Sequence, residues 1–116
     1  MTYGTPIRVK DRCDIKMEDT EYDQKIVRAI AFSDALIDTM FADIDKTVPS
    51  STPQIIIDAS NDIATYYMLR SKQTETAIEY LVSGQKLVDQ YLDAQYRKAG
   101  IGKIVTGQVA SESSED

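Results

Sequence analysis

The residues in this chain best placed to do chemistry together are carboxylates at helical spacing: Asp34 with Asp38, Asp58 with Asp62, and Asp89 with Asp93. Side chains four apart share one helix face, and such pairs can in principle grip a divalent metal. Bundle di-metal sites of this kind also need Glu-x-x-His elements, and the chain has no His. The pairs therefore read as solvated helix faces. Without His the commonest general base near neutral pH and the commonest metal ligand are both missing. Cys13 is the single cysteine, so it has no intrachain disulfide partner and no thiolate cluster to join. No imidazole exists to activate it, and it reads as a half-buried thiol in a reducing compartment. Asp43-Ile44-Asp45-Lys46-Thr47 begins like a calcium loop, yet it lacks Gly at the sixth position and has Gln54 where a bidentate Glu belongs. Gly100-Ile101-Gly102-Lys103 lacks the spacing of a phosphate loop and follows no strand. Tyr66, Tyr67, Tyr80, Tyr91 and Tyr96 fall within helical patterns without interleaved basic residues, so they read as core and interface side chains, not as a base-stacking platform. With no nucleophile and base to pair, the expectation is a non-enzyme with no catalytic residue, cofactor or metal.

Composition points the same way. A chain of 116 residues with 42% hydrophobic and 28% charged residues fits one domain with one modest core. Nineteen acidic side chains against 13 basic ones leave a net charge of -6, which argues against a sequence-reading nucleic-acid binder. No apolar run approaches the length of a membrane span, and Met1-Thr2-Tyr3-Gly4-Thr5-Pro6 carries no apolar signal core. The expectation is a soluble protein made in the cytoplasm, with no membrane partner.

The elements that must position these residues are helical. Residues 1–19 lack sustained periodicity and read as an irregular N-terminal arm with at most a short helix around Ile7 to Cys13. Thr20 with Asp23 reads as a capping box. From there Ile26, Ile30, Ser33, Ile37, Met40, Phe41 and Ile44 mark one face of an amphipathic helix, with Phe32 at its edge. Thr52 before Pro53, or alternatively Ser51 with Gln54, starts a second helix. That helix is apolar round most of its circumference, leaving a strip of Asp58, Asn61, Asp62 and Thr65, and so is expected to be central. A third helix from about Glu75 to Ala99 carries Ile78, Leu81, Val82, Gln85, Val88, Tyr91, Leu92 and Gln95 on one stripe. At about 37 Å by the helical rise, it is longer than its partners need, and its last turns are expected to project. The fold class is thus mainly α, with a three-helix core at about 20–46, 53–71 and 74–99 forming one helical domain (20–99). Residues 100–116 form an extended C-terminal arm, Gly-broken and β-favouring, ending in the acidic, Ser-rich run Ser111-Glu112-Ser113-Ser114-Glu115-Asp116. Such a run reads as a solvated tail or as one held by a partner.

The order of these motifs carries a resemblance. An acidic helix start leads into Asp23-Gln24-Lys25-Ile26-Val27-Arg28-Ala29-Ile30-Ala31-Phe32-Ser33-Asp34-Ala35-Leu36-Ile37-Asp38. After a Pro-containing loop comes Ile55-Ile56-Ile57-Asp58-Ala59-Ser60-Asn61-Asp62-Ile63-Ala64-Thr65-Tyr66-Tyr67-Met68-Leu69-Arg70, followed by Thr74-Glu75 and by Tyr80 before Gly84 and Leu87. From Ile15 to Leu92 this resembles the head-tail connector (adaptor, or head-completion) proteins of tailed bacteriophages, including the small neck-protein family of Mu-like phages. Departures from the family pattern are the third helix, which runs about two turns past the usual Gly stop, and Gly84, where Ala is common.

The resemblance implies a structural virion protein at the neck, synthesised in the host cytoplasm. It would form a homo-oligomeric, typically dodecameric ring between the portal protein and the stopper or tail-terminator protein, with DNA passing through unread. It further implies that Phe32, Tyr91 and Tyr96 make intersubunit contacts and that Ile101, Ile104, Val105 and Val109 belong to a portal-docking arm. An acidic channel wall would keep DNA from sticking. A rival reading from another class is a small helical regulator or chaperone that binds one partner protein through the third helix.

Overall fold

Residues 2–97 are described in the computed structural model. They form four α-helices: α1 (Pro6–Arg12), α2 (Asp23–Ala42), α3 (Gln54–Leu69) and α4 (Thr74–Leu92), the last continuing as a turn of π-helix over Asp93–Arg97. The fold is mainly helical, and among the described residues it has no strand. Helix α3 packs against α1, α2 and α4, the central position expected of so apolar a helix.

Local chemistry sets the helix ends. Pro6 opens α1, where its missing N–H is no loss. The Thr20 capping box does not form: Tyr22 is the N-cap of α2, no side chain caps it, and the Thr20 carbonyl instead accepts the Asp23 N–H. The preceding turn is closed by Asp19 Oδ1, which accepts the Glu21 N–H at 2.9 Å. Helices α1 and α2 end alike. Ile15 N–H donates to Lys10 O and Asp14 N–H to Asp11 O; Lys46 N–H donates to Phe41 O and Asp45 N–H to Ala42 O. Both are Schellman closures, and each places an Asp in the left-handed region, Asp14 at φ 61° and Asp45 at φ 60°. The stretch that began like a calcium loop is this chain reversal.

The apolar core has two parts. One gathers Ile37 and Phe41 of α2, Ile56, Ala59 and Ile63 of α3, Val88 and Leu92 of α4, and Tyr3. The other gathers Val9 of α1, Ile26, Ala29 and Ile30 of α2, and Ala64 and Met68 of α3. The predicted α2 face is therefore the buried one. The α4 stripe is rotated from its expected position: Ala77, Gly84, Val88 and Leu92 are buried, whereas Ile78 and Val82 are 48% and 50% exposed. Small residues let α4 approach α3 closely, and that closeness selects the face, not the larger side chains beside it.

The residues from 2 to 19 are not a detached arm. Tyr3 and Gly4 are buried, Val9 is fully so, and α1 packs on α2 and α3. Lys10, 7% exposed, sends its ammonium to Met17 O (3.2 Å), Asp19 O (2.8 Å) and Asp23 Oδ1 (2.9 Å), which ties the loop after α1 to the start of α2. At the other end the helix does not project within the described residues, because Leu92 is buried and Tyr96 still packs on the first cluster.

Candidate interaction surface

Polar side chains at helical spacing converge inside the molecule, between the two apolar clusters. Asp34 of α2 is 6% exposed and accepts the Tyr3 N–H at Oδ2 (3.1 Å) and the Ser60 hydroxyl at Oδ1 (2.7 Å). Gly4 N–H donates to the same carboxylate. The Tyr3 hydroxyl donates to Asp38 Oδ1, and Thr5 N–H to Asn61 Oδ1 at 2.8 Å. Ser33 Oγ lies 2.8 Å from both Ser60 Oγ and the Ile30 carbonyl. Burial raises the Asp34 pKa, against the lowering effect of its hydrogen bonds from Ser60 and Tyr3.

A second junction links three helices. Arg12 of α1 donates to Asp62 Oδ1 of α3 at 2.6 Å, and Ser83 of α4 donates to Asp62 Oδ2 at 2.9 Å. Burial again pushes the carboxyl pKa up and outweighs the opposing pull of Ser83 and Arg12.

Asp34 and Asp62 are thus buried structural groups, which corrects their reading as parts of solvated faces. Of the third pair, Asp89 and Asp93 take the Arg97 guanidinium at 3.5 and 2.8 Å. No group of three or more His, Cys, Asp or Glu among the described residues is arranged to hold a metal. Burial raises the Cys13 pKa despite the nearby charges of Lys25 and Arg12, so the thiol stays protonated and poorly nucleophilic. No described helix is long and apolar enough to cross a membrane.

Some apolar surface is left uncovered among the described residues. Phe32 is 36% exposed and stands with its ring 5.4 Å from Tyr67 and 6.2 Å from Tyr66, while Arg70 caps the Tyr67 face at 4.2 Å. This aromatic cluster straddles α2 and α3. Tyr91 and Tyr96 are placed differently: Tyr91 stacks on buried Phe41 (5.9 Å), and Tyr96 lies under the Lys46 ammonium (4.9 Å). Both rings line the core edge, with part of each surface open. Ile78 and Val82, one turn apart, form an apolar strip on the outer face of α4 that no described residue covers. The sequence stripe contained both residues but did not separate them from the buried Val88 and Leu92. Ile101, Ile104, Val105 and Val109 lie outside the described residues.

The chain matches no protein-family model, no curated protein and no solved structure.

Proposed function

We propose that this chain is a head-tail connector (adaptor) protein of a tailed bacteriophage, a virion component of the neck. It assembles as a dodecameric ring between the portal protein and the stopper or tail terminator. The reading is carried by the ordered pair of helix motifs, Asp23 to Asp38 and Ile55 to Arg70, which fold against each other as α2 and α3. The surface is compatible with it. A ring needs two different faces that meet head to tail, and the protomer has two distinct apolar patches, Phe32 with Tyr66 on α2 and α3, and Ile78 with Val82 on α4. The net charge of -6, repeated around a ring, would keep the DNA path from binding its cargo.

The test is native mass measurement and electron microscopy of the purified protein, alone and with the portal protein encoded beside its gene. A ring seated on the portal is expected. A monomer that ignores the portal well above micromolar concentration overturns the reading. It would instead favour a small helical regulator or chaperone that uses the open Ile78 and Val82 strip for one partner protein.

A further inference from the structure

Two of the uncovered apolar patches have rims of opposite charge. On α2 and α3, Phe32 is 36% exposed and packs on the half-buried rings of Tyr66 and Tyr67. Two arginines edge this patch: Arg28 stands one helical turn before Phe32, and Arg70 stands one turn after Tyr66 with its guanidinium 4.2 Å from the Tyr67 ring. On α4, Ile78 and Val82 are 48% and 50% exposed, and Glu75 and Glu79 each lie one turn before one of them. Lys86, one turn beyond Val82, ends the strip. Arg28, Arg70, Glu75 and Glu79 are all exposed, and none makes an ion pair with another described residue. Like charges four apart on a helix repel, as Glu75 and Glu79 do, and a basic surface laid against them relieves that repulsion.

We propose that the two patches bind each other between copies of this chain. The Ile78 and Val82 strip of one copy seats on the Phe32, Tyr66 and Tyr67 patch of the next, with Glu75 and Glu79 facing Arg28 and Arg70. Both patches are fixed on packed helices, so a protomer cannot close the pair by itself. The charges choose this pairing over patch on like patch. A second aromatic patch offers the arginines only more cations, and a second α4 strip offers the glutamates Lys86 alone. Aromatic rings and arginine are the residue types that interface cores favour, and matched charge around them sets register and excludes wrong partners. Because the contact joins unlike faces, each pair of copies keeps one patch of each kind open, and the same contact adds further copies until a ring closes. The contact does not rest on the connector reading, since a chain with no portal partner would make it equally.

The test is sedimentation velocity of the full chain over a concentration series, with two charge-reversed variants. The native chain should associate with rising concentration at low salt, and several-fold less in about 0.5 M salt, where the screening length is near 4–5 Å. Arg28→Glu with Arg70→Glu, and separately Glu75→Lys with Glu79→Lys, should each lower the association constant at least tenfold and leave the helical circular dichroism unchanged, because all four positions are exposed. An equal mixture of the two variants should recover association, since each then offers the other a rim of opposite charge. Should a double reversal lose its helical signal, Arg28→Glu alone mixed with Glu79→Lys alone gives the same reciprocal readout. A native chain that stays monomeric up to about 1 mM overturns the proposal. So do salt-insensitive association, full association by either variant alone, and a mixture that does not recover. Self-association with the expected charge pattern in a chain that ignores the portal would overturn the connector reading and leave this contact standing. Ring assembly on the portal by either reversed variant alone would overturn this contact and leave the connector reading.

Discussion

Gly84 of α4 lies against Ile63 of α3 so closely that a Cβ added to it would stand 2.6 Å from Ile63 Cγ1 and 2.9 Å from the Ala59 carbonyl oxygen. Neither neighbour is the free end of a flexible chain, so the helices would have to part. Gly84→Ala gains about 1 kcal/mol of helix propensity and loses more to overpacking, typically about 1–3 kcal/mol. A net loss of stability is expected, measured as a lower urea midpoint at constant m. A rise in the midpoint would show that α3 and α4 are less tightly joined than described.

Asp34→Asn tests the buried network through pH. The folded-state pKa of Asp34 is raised above its ordinary 3.8, chiefly by burial, so the folded protein holds this proton more tightly than the unfolded chain. The associated stability is fully present below 3.8 and is lost as pH rises through the folded-state value. Asn keeps an oxygen that can accept the Tyr3 N–H and carries no charge to bury. The variant should therefore gain stability relative to the native chain as pH is raised from 3.5 to 7. Urea midpoints across that range check this, and a pH-independent difference would contradict it. Asp34→Ala instead strands the Tyr3 N–H donor and should cost about 1–3 kcal/mol.

At the C-terminal end of α2, Asp45 has φ 60° and closes the helix in a conformation that an L side chain adopts at a cost. Asp45→Gly keeps the Lys46 to Phe41 and Asp45 to Ala42 hydrogen bonds and relieves that cost. A gain of about 0.5–1 kcal/mol is expected, seen as a melting temperature higher by several degrees.

Arg12 is the cation that faces Asp62, and Asp62 is 8% exposed. Arg12→Ala should cost about 1–3 kcal/mol because the carboxylate is left buried with Ser83 alone. Adding Asp62→Asn should recover part of the loss, since no uncompensated charge then remains. A double-mutant cycle by chemical denaturation reads the coupling.

Ile78→Lys with Val82→Lys should leave the melting temperature nearly unchanged, because exposed positions contribute within about 0.5 kcal/mol. If the α4 strip is a ring contact, the same variant should fail to assemble on the portal by sedimentation. Intact assembly would move the interface elsewhere.

Much of the helical architecture was legible because periodicity is a one-dimensional signal. Ile26, Ile30, Ile37 and Phe41 recur at the step that puts them on one face, and that face is buried. The breadth of apolar residues on α3 likewise marked it as central. The Asp58 to Thr65 strip was harder to read: Asn61, Asp62 and Thr65 look like a solvent-facing stripe, yet all three are buried. The missing knowledge was that α1 and the residues before it would cover the strip, supplying Thr5 N–H to Asn61 and Arg12 to Asp62. Pro6 at a helix start and Arg12 at its end were the available signals.

Residue types alone therefore determined that the chain is helical, that its middle helix is the hub, and that no imidazole chemistry is open to it. Only the tertiary structure decided which carboxylates are buried, because a side chain's partner need not be near it in sequence: Tyr3 meets Asp34 and Ser83 meets Asp62 across different elements. It also decided that Ile78 and Val82 face outward. Helical spacing places them on a stripe, but the close approach of Gly84 to Ile63 sets the rotation of α4 about its axis, and with it which apolar residues remain uncovered.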